Sequence, residues 1–381
     1  MSRGPGTGVA GRSWRPWRLQ RPVRRILVIR RKALGDALVT LPAVLRLAEA
    51  FPAARVDLVV DRPFAGLLAE LSERVRVLVW PPERGGAVGW LRSLRAGAYD
   101  LVIDYLGSPR TAFWTAVTGA PLRVGYDLPG RRHAYNVRVP RNRAGGTPLR
   151  QYAGEAFLDP LRALGLDPAP WSPAGPGASP AAGSPRPLGA AYLAWAREWE
   201  RRSAPRIALV LSASWPAKEW PAEHAGALTA RLRGEGAAPL LVPGPGDEPF
   251  AGAVRAADPL LETAPPTTLP ELADLLRRCQ LFVGTDNGVR HLAVLLGLPT
   301  VTLFGPTDPL GWNPADPRHV SVRTGEPCSP CDLTICPVPG HPCLASLGPD
   351  RVLAGIRRVL APQGPAPDAS GPERPREELS S

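Results

Sequence analysis

Apolar residues along this chain alternate between short unbroken runs and helical stripes. Ile26 to Ile29 is a compact apolar run and Arg31 to Gly35 a polar loop. Asp36 to Ala50 then places its apolar residues at helical spacing, with Pro42 in the early turns and Phe51-Pro52 as the stop. Arg55 to Val60 alternates like a strand, so Ile26 to Val60 reads as one strand-helix-strand unit of a parallel sheet. Tyr99 to Asp104 predicts a buried strand, Pro109 to Thr118 a helix, and Leu122 to Gly125 the start of another strand.

A second alternation begins at Ile207 to Leu211. It continues through a helix from about Pro221, a strand at Pro239 to Val242, a helix at Leu269 to Arg278, and strands at Leu281 to Val283 and Pro299 to Phe304. Two α/β units of this kind predict two Rossmann-like domains, 23–164 and 205–361, facing each other across a cleft. Residues 165–204, dense in Pro, Gly, Ala and Ser over their first two dozen positions, read as the linker.

Composition adjusts this picture at the ends. The net charge of +12 suggests a nucleic-acid partner until it is mapped: seven arginines and no acids fall within residues 1–25. Residues 1–22 therefore read as a disordered basic arm and the folded part as mildly basic, with no nucleic-acid partner expected. Residues 362–381 read as a disordered polar tail. No apolar run approaches the roughly 20 residues of a membrane span, and the N-terminus lacks the apolar stretch of a secretory signal. A cytoplasmic location is expected. Trp14 and Trp17 among the arm's cations suit peripheral contact with an anionic membrane.

Arginine outnumbers lysine 44 to two, so Lys32 and Lys218 stand out. Lys218 lies in Ser212 to Pro221 (SASWPAKEWP), between a predicted strand and helix. A lysine facing phosphate is a mobile point charge, which the rigid guanidinium fork does not reproduce. Gly284 to Gly288 brings backbone amides to a helix start, where free N–H groups and the helix dipole favour an anion such as a diphosphate. The alternative is an ordinary turn capped by Asp286 or Asn287. His291 follows on the same helix, as a ligand or as a packed residue. In Lys32 to Thr40, Asp36 is a general-base candidate or a helix-capping aspartate. Cys328, Cys331, Cys336 and Cys343 are spaced C-x2-C-x4-C-x6-C, with His341 between the last two. Four thiols so close suggest a structural zinc or iron-sulfur site, with disulfides or free thiols as the alternatives.

Together these segments resemble glycosyltransferase family 9, the ADP-heptose:lipopolysaccharide heptosyltransferases, over nearly all of residues 24–361. The resemblance rests on Leu34-Gly35-Asp36 after the first strand, Thr40-Leu41-Pro42, Ser214 to Pro221, Gly244 to Glu248, Gly284 to Ala293, and Phe304 to Asp308. It implies a GT-B fold and an inverting transfer of heptose from ADP-heptose, or a similar nucleotide sugar, to a lipid-linked lipopolysaccharide-core acceptor. Asp36 is then the catalytic base. Ser212, Ser214, Lys218, Glu248, Asp286, Asn287, Gly288 and His291 are then donor-binding, Asp286 through sugar hydroxyls, and catalysis requires no cofactor. The family's cysteine cluster is similar to the one here. Val210-Leu211-Ser212 replaces the family's usual His-Pro-Gly, and Asn287 its Ser or Thr. The rival readings are another nucleotide sugar or acceptor, a nucleotide-sugar epimerase, and a non-catalytic membrane-surface interaction protein.

Overall fold

The computed structural model describes residues 22–72, 74–81, 86–141, 151–173, 188–202 and 205–361. The expected basic arm, except Pro22, and the expected tail lie outside the described residues, as does the middle of the expected linker.

Two six-stranded sheets, all parallel, carry the fold. The first contains β1 (Arg25–Ile29), β2 (Arg55–Asp61), β3 (Val75–Trp80), β4 (Leu101–Asp104), β5 (Leu122–Tyr126) and β6 (Val137–Val139), in the order β3-β2-β1-β4-β5-β6. The second contains β7 (Arg206–Val210), β8 (Ala238–Leu241), β9 (Glu262–Thr263), β10 (Leu281–Thr285), β11 (Thr300–Leu303) and β12 (His319–Val322), in the order β12-β11-β10-β7-β8-β9. The two orders are equivalent: in each sheet the chain moves outward to one side, returns to the centre, and continues on the other. The reversal leaves a crevice at the C-terminal ends of the central strands, between β1 and β4 and between β7 and β10, where open parallel sheets bind ligands. This is the expected α/β GT-B architecture.

The central strands are apolar throughout because helices cover both faces of the sheet. Ile26, Leu27, Val28 and Ile29 are fully buried, as are Leu281, Phe282 and Val283. The helix Leu34–Ala50 buries Leu38, Leu41, Val44 and Leu47 and packs against the helix Gly288–Leu295 of the second unit. Leu292 and Ala273 of that unit join the same apolar cluster, so one core runs across the domain boundary. Arg277 Nη1 reinforces the boundary with an ion pair to Glu70 Oε1 at 3.1 Å.

Residues 165–204 are not all linker. Ala190–Glu200 forms a helix that buries Tyr192, Ala196 and Trp199. Tyr192 Oη donates to Asp274 Oδ2 at 2.8 Å and Gly189 N to Glu271 Oε1 at 3.0 Å, which fixes the helix to the second unit. The Pro/Gly-rich run before it obscures this stripe, although Tyr192, Ala196 and Trp199 keep the i, i+4, i+7 spacing of a buried helical face.

Candidate active site between the two sheets

The loops after β1, β7 and β10 meet around one open cavity of about 350 Å³. Its walls include Gly35 and Asp36 from the first domain and Ser214, Trp215, Lys218, Asp286, Asn287, Gly288 and His291 from the second. Gly35 and Gly288 allow this approach: a Cβ at Gly35 would lie 2.7 Å from His291 Cδ2 and 3.3 Å from Gly288 Cα. Two helix N-termini thus reach the same space, each contributing unpaired N–H groups and the positive end of a dipole.

On the first-domain side, Ala33 is the residue capping the Leu34–Ala50 helix, and Asp36 sits at the third helical position. Its Oδ2 accepts from Ala33 N at 3.3 Å, and its Oδ1 pairs with Arg30 Nη2 at 2.7 Å. Arg30 is buried, donates through Nη1 to Tyr105 O at 2.7 Å and lies 5.3 Å over the Phe157 ring. A fixed cation therefore orients a carboxylate that remains partly open to the cavity.

The second-domain side is a buried charge cluster. Asp286 Oδ1 accepts from Arg290 Nη2 at 2.9 Å. Asp286 Oδ2 accepts from Lys218 Nζ and from Thr307 Oγ1, each at 2.9 Å. Burial alone would raise the pKa of Asp286, but Lys218 and Arg290 outweigh it and hold the carboxyl far below the usual range. Burial and the neighbouring Arg290 push His291 well below its ordinary value, so its ring is neutral. Lys218 and Arg290 against Asp286 leave one net positive charge, and Lys218 Nζ also lies 4.4 Å from the Trp215 ring centroid. Asp286 thus fixes Lys218 and Arg290 at the cavity wall, with one hydrogen bond at Oδ1 and two at Oδ2.

Asn287 caps the Gly288–Leu295 helix: its Oδ1 accepts from Arg290 N at 3.0 Å. The capping reading of this loop is observed, and Asn287 and Gly288 at the start of the helix lie at the cavity wall. Two expected donor contacts fall outside the wall. Ser212 is buried and donates to Asp247 Oδ2 at 2.5 Å, and Glu248 is exposed at the start of the Glu248–Ala257 helix. The sequence reading missed Arg30, Arg290 and Trp312. Arg290 had a signal, because it stands four residues after Asp286 and can pair with it across a helical turn.

The four clustered cysteines line a separate small pocket together with His341 and Ala217. All are free thiols; Cys343 is buried, and burial followed by the neighbouring thiols pushes its pKa up to about 11. Among the described residues no three His, Cys, Asp or Glu side chains are placed as a group that could hold a metal ion, although all four thiols face one pocket. His341 is engaged elsewhere: its Nε2 donates to Ala217 O at 2.8 Å, while Ala217 N donates to Thr334 O at 3.1 Å. The segment also reaches the loop that carries Thr307, through Cys331 N to Pro306 O at 3.0 Å and Ser329 Oγ to Gly305 O at 2.5 Å. The cysteine segment thus braces both loops that hold the Lys218–Asp286–Thr307 cluster.

Comparison with known proteins agrees with this geometry. Residues 89–340 match the model of glycosyltransferase family 9 (heptosyltransferase). The chain belongs to glycosyltransferase family 9. Lipopolysaccharide heptosyltransferase 1 of Pseudomonas aeruginosa is 31% identical over 328 residues, covering 82% of this chain and 87% of that protein. Among solved structures, Escherichia coli ADP-heptose lipopolysaccharide heptosyltransferase II shares the fold with a TM-score of 0.65 at 22% identity, over 88% of this chain and 98% of that one. A family 9 glycosyltransferase from Veillonella parvula does so with a TM-score of 0.66 at 20% identity, over 88% and 97%. Among the described residues of this family 9 glycosyltransferase, no helix is long and apolar enough to cross a membrane.

Proposed function

We propose that this chain transfers heptose from ADP-heptose to a lipopolysaccharide-core acceptor in one inverting displacement. The observation that carries the reading is the shared cavity, which sets the Asp36 carboxylate of one domain opposite the Lys218 cluster of the other. Asp36 takes the proton of the acceptor hydroxyl as its oxygen bonds to the anomeric carbon, and the bond from that carbon to the diphosphate breaks on the opposite face. Negative charge grows on the departing ADP. Lys218 and the amides at the start of the Gly288–Leu295 helix face that charge with donors already fixed in place. Arg30 positions Asp36, and Asp286 with Thr307 positions Lys218. Ser214 and His291 complete the donor wall.

The names of the relatives supply the choice of ADP-heptose and of lipopolysaccharide as acceptor; the charge cluster supports a nucleoside diphosphate leaving group whatever the sugar. The reaction is assigned to the cytoplasm, with the arm at residues 1–22 touching the membrane that holds the lipid-linked acceptor. The direct test is ADP release from ADP-heptose with and without a truncated lipopolysaccharide core. Release that depends on acceptor supports the reading. Release or sugar isomerisation without acceptor favours the epimerase, and binding without turnover of any nucleotide sugar favours a non-catalytic protein.

A further inference from the structure

At the opposite end of the first sheet from Asp36, the strands begin on arginines. Arg25 opens β1, Arg55 opens β2, and Arg76 is the second residue of β3. With β1 spanning about 16 Å at ~3.3 Å per residue, this end is separated from the transfer cavity by the full height of the sheet. The three side chains line a partly open cavity of about 150 Å³ with Asp57, Trp90, Ser93 and Tyr99.

The charges in this cavity do not cancel. Asp57, the one acid in its wall, is buried and saturated: Oδ1 accepts from Arg55 Nε at 3.0 Å and Arg76 Nε at 2.9 Å. Its Oδ2 accepts from Arg76 Nη2 at 3.1 Å and Tyr99 Oη at 2.8 Å. Arg25 spends Nη1 on Gly97 O at 2.9 Å. Asp100 lies close by, but its Oδ2 accepts the backbone amides of Arg24 and Arg25 at 2.8 and 2.9 Å. Both terminal nitrogens of Arg55, and one each of Arg25 and Arg76, are left without an acceptor among the described residues. Trp90, 6% exposed, forms the apolar part of the wall together with Leu78 and Leu94.

We infer that this cavity is a second binding site, for a phosphate-class oxyanion. Three arginines against one saturated carboxylate leave two positive charges. The half-exposed forks of Arg55 and Arg76 are held by Asp57 with N–H groups left over. The space equals about five waters at ~30 Å³ each, which accommodates a phosphate group with part of what carries it. Guanidinium groups fixed in this way recognise phosphate through paired donors. The phosphate belongs either to a free phosphorylated metabolite or to a phospholipid headgroup.

The test is calorimetric titration of inorganic phosphate into the full chain with the transfer cavity saturated by ADP, beside sedimentation with phosphatidylglycerol and with phosphatidylcholine vesicles. Two variants accompany it. Arg55→Gln with Arg76→Gln removes the forks; because it also disturbs Asp57, Ser93→Asp places a negative charge at the exposed rim and leaves every arginine pair intact. Saturable binding weakened about tenfold or more, some 1.4 kcal/mol, in Ser93→Asp with unchanged transfer activity supports the site. Preference for phosphatidylglycerol vesicles over phosphate, lost in the same variant, supports it with a lipid as the source. Binding equal in wild type and both variants, or no binding of phosphate or phosphatidylglycerol by the wild type, overturns it.

Discussion

The two halves of the transfer cavity occupy equivalent places in equivalent sheets, yet they are built differently. The second-domain half is a buried lattice: Asp286 receives Lys218, Arg290 and Thr307, the Gly288–Leu295 helix is capped, and the cysteine segment braces the loops from behind. The first-domain half is one partly open carboxylate held by one arginine. A group that stabilises charge benefits from being fixed before the charge appears, whereas a group that collects a proton must reach a substrate that enters and leaves. The contrast supports the proposed division, with charge stabilisation in the second domain and proton transfer in the first.

The largest expected effect separates the two roles. Asp36→Ala lowers kcat by about 10² to 10⁴-fold with little change in donor KM, measured by acceptor-dependent ADP release. Lys218→Met lowers kcat by about 10² to 10³-fold and also raises donor KM; equal and purely kcat effects in the two variants would erase the division. Gly35→Val tests the meeting of the halves. Its Cβ meets His291, and overpacking of this kind costs about 1–3 kcal/mol, read as a fall in chemical stability accompanied by slower transfer.

Acid should distinguish the halves as well. Burial lowers the His319 pKa from 6.5 to about 4, and burial lowers His291 as well. A depressed histidine contributes fully above its unfolded value and less as pH falls toward its folded value. From pH 7 to 5 the second domain should lose about 2 kcal/mol through His319, seen as a falling unfolding midpoint that His319→Gln flattens. The smallest expected effect is that of a chelator. Prolonged treatment should leave transfer unchanged, and loss restored by zinc would make the thiol pocket a metal site.

Much of this was legible in the sequence because both domains repeat one physical pattern, an apolar strand followed by a polar loop and a striped helix. β1, β4, β7 and β10 and the helices after them fall where that pattern places them. The helix Ala190–Glu200 did not, since the composition around it outweighed a weak stripe. At the site, the loops were legible and the partners were not. Asp36 and Asn287 each fit a helix-start role by spacing alone, and only the fold reveals that Asn287 is the cap residue while Asp36, at the third helical position, meets both Ala33 N and Arg30. Ser212 sits in a motif that reaches the cavity, but it turns to Asp247 of the Gly244 to Asp247 turn instead, and the Glu248 motif does not line the cavity.

The central claim is that donor charge and acceptor proton are handled by different domains. Calorimetric titration of ADP into wild type, Asp36→Ala and Lys218→Met tests it most directly. The account predicts wild-type affinity, within about twofold, in Asp36→Ala and a loss of about tenfold or more, some 1.4 kcal/mol, in Lys218→Met. Loss of ADP binding in Asp36→Ala with retention in Lys218→Met would contradict it.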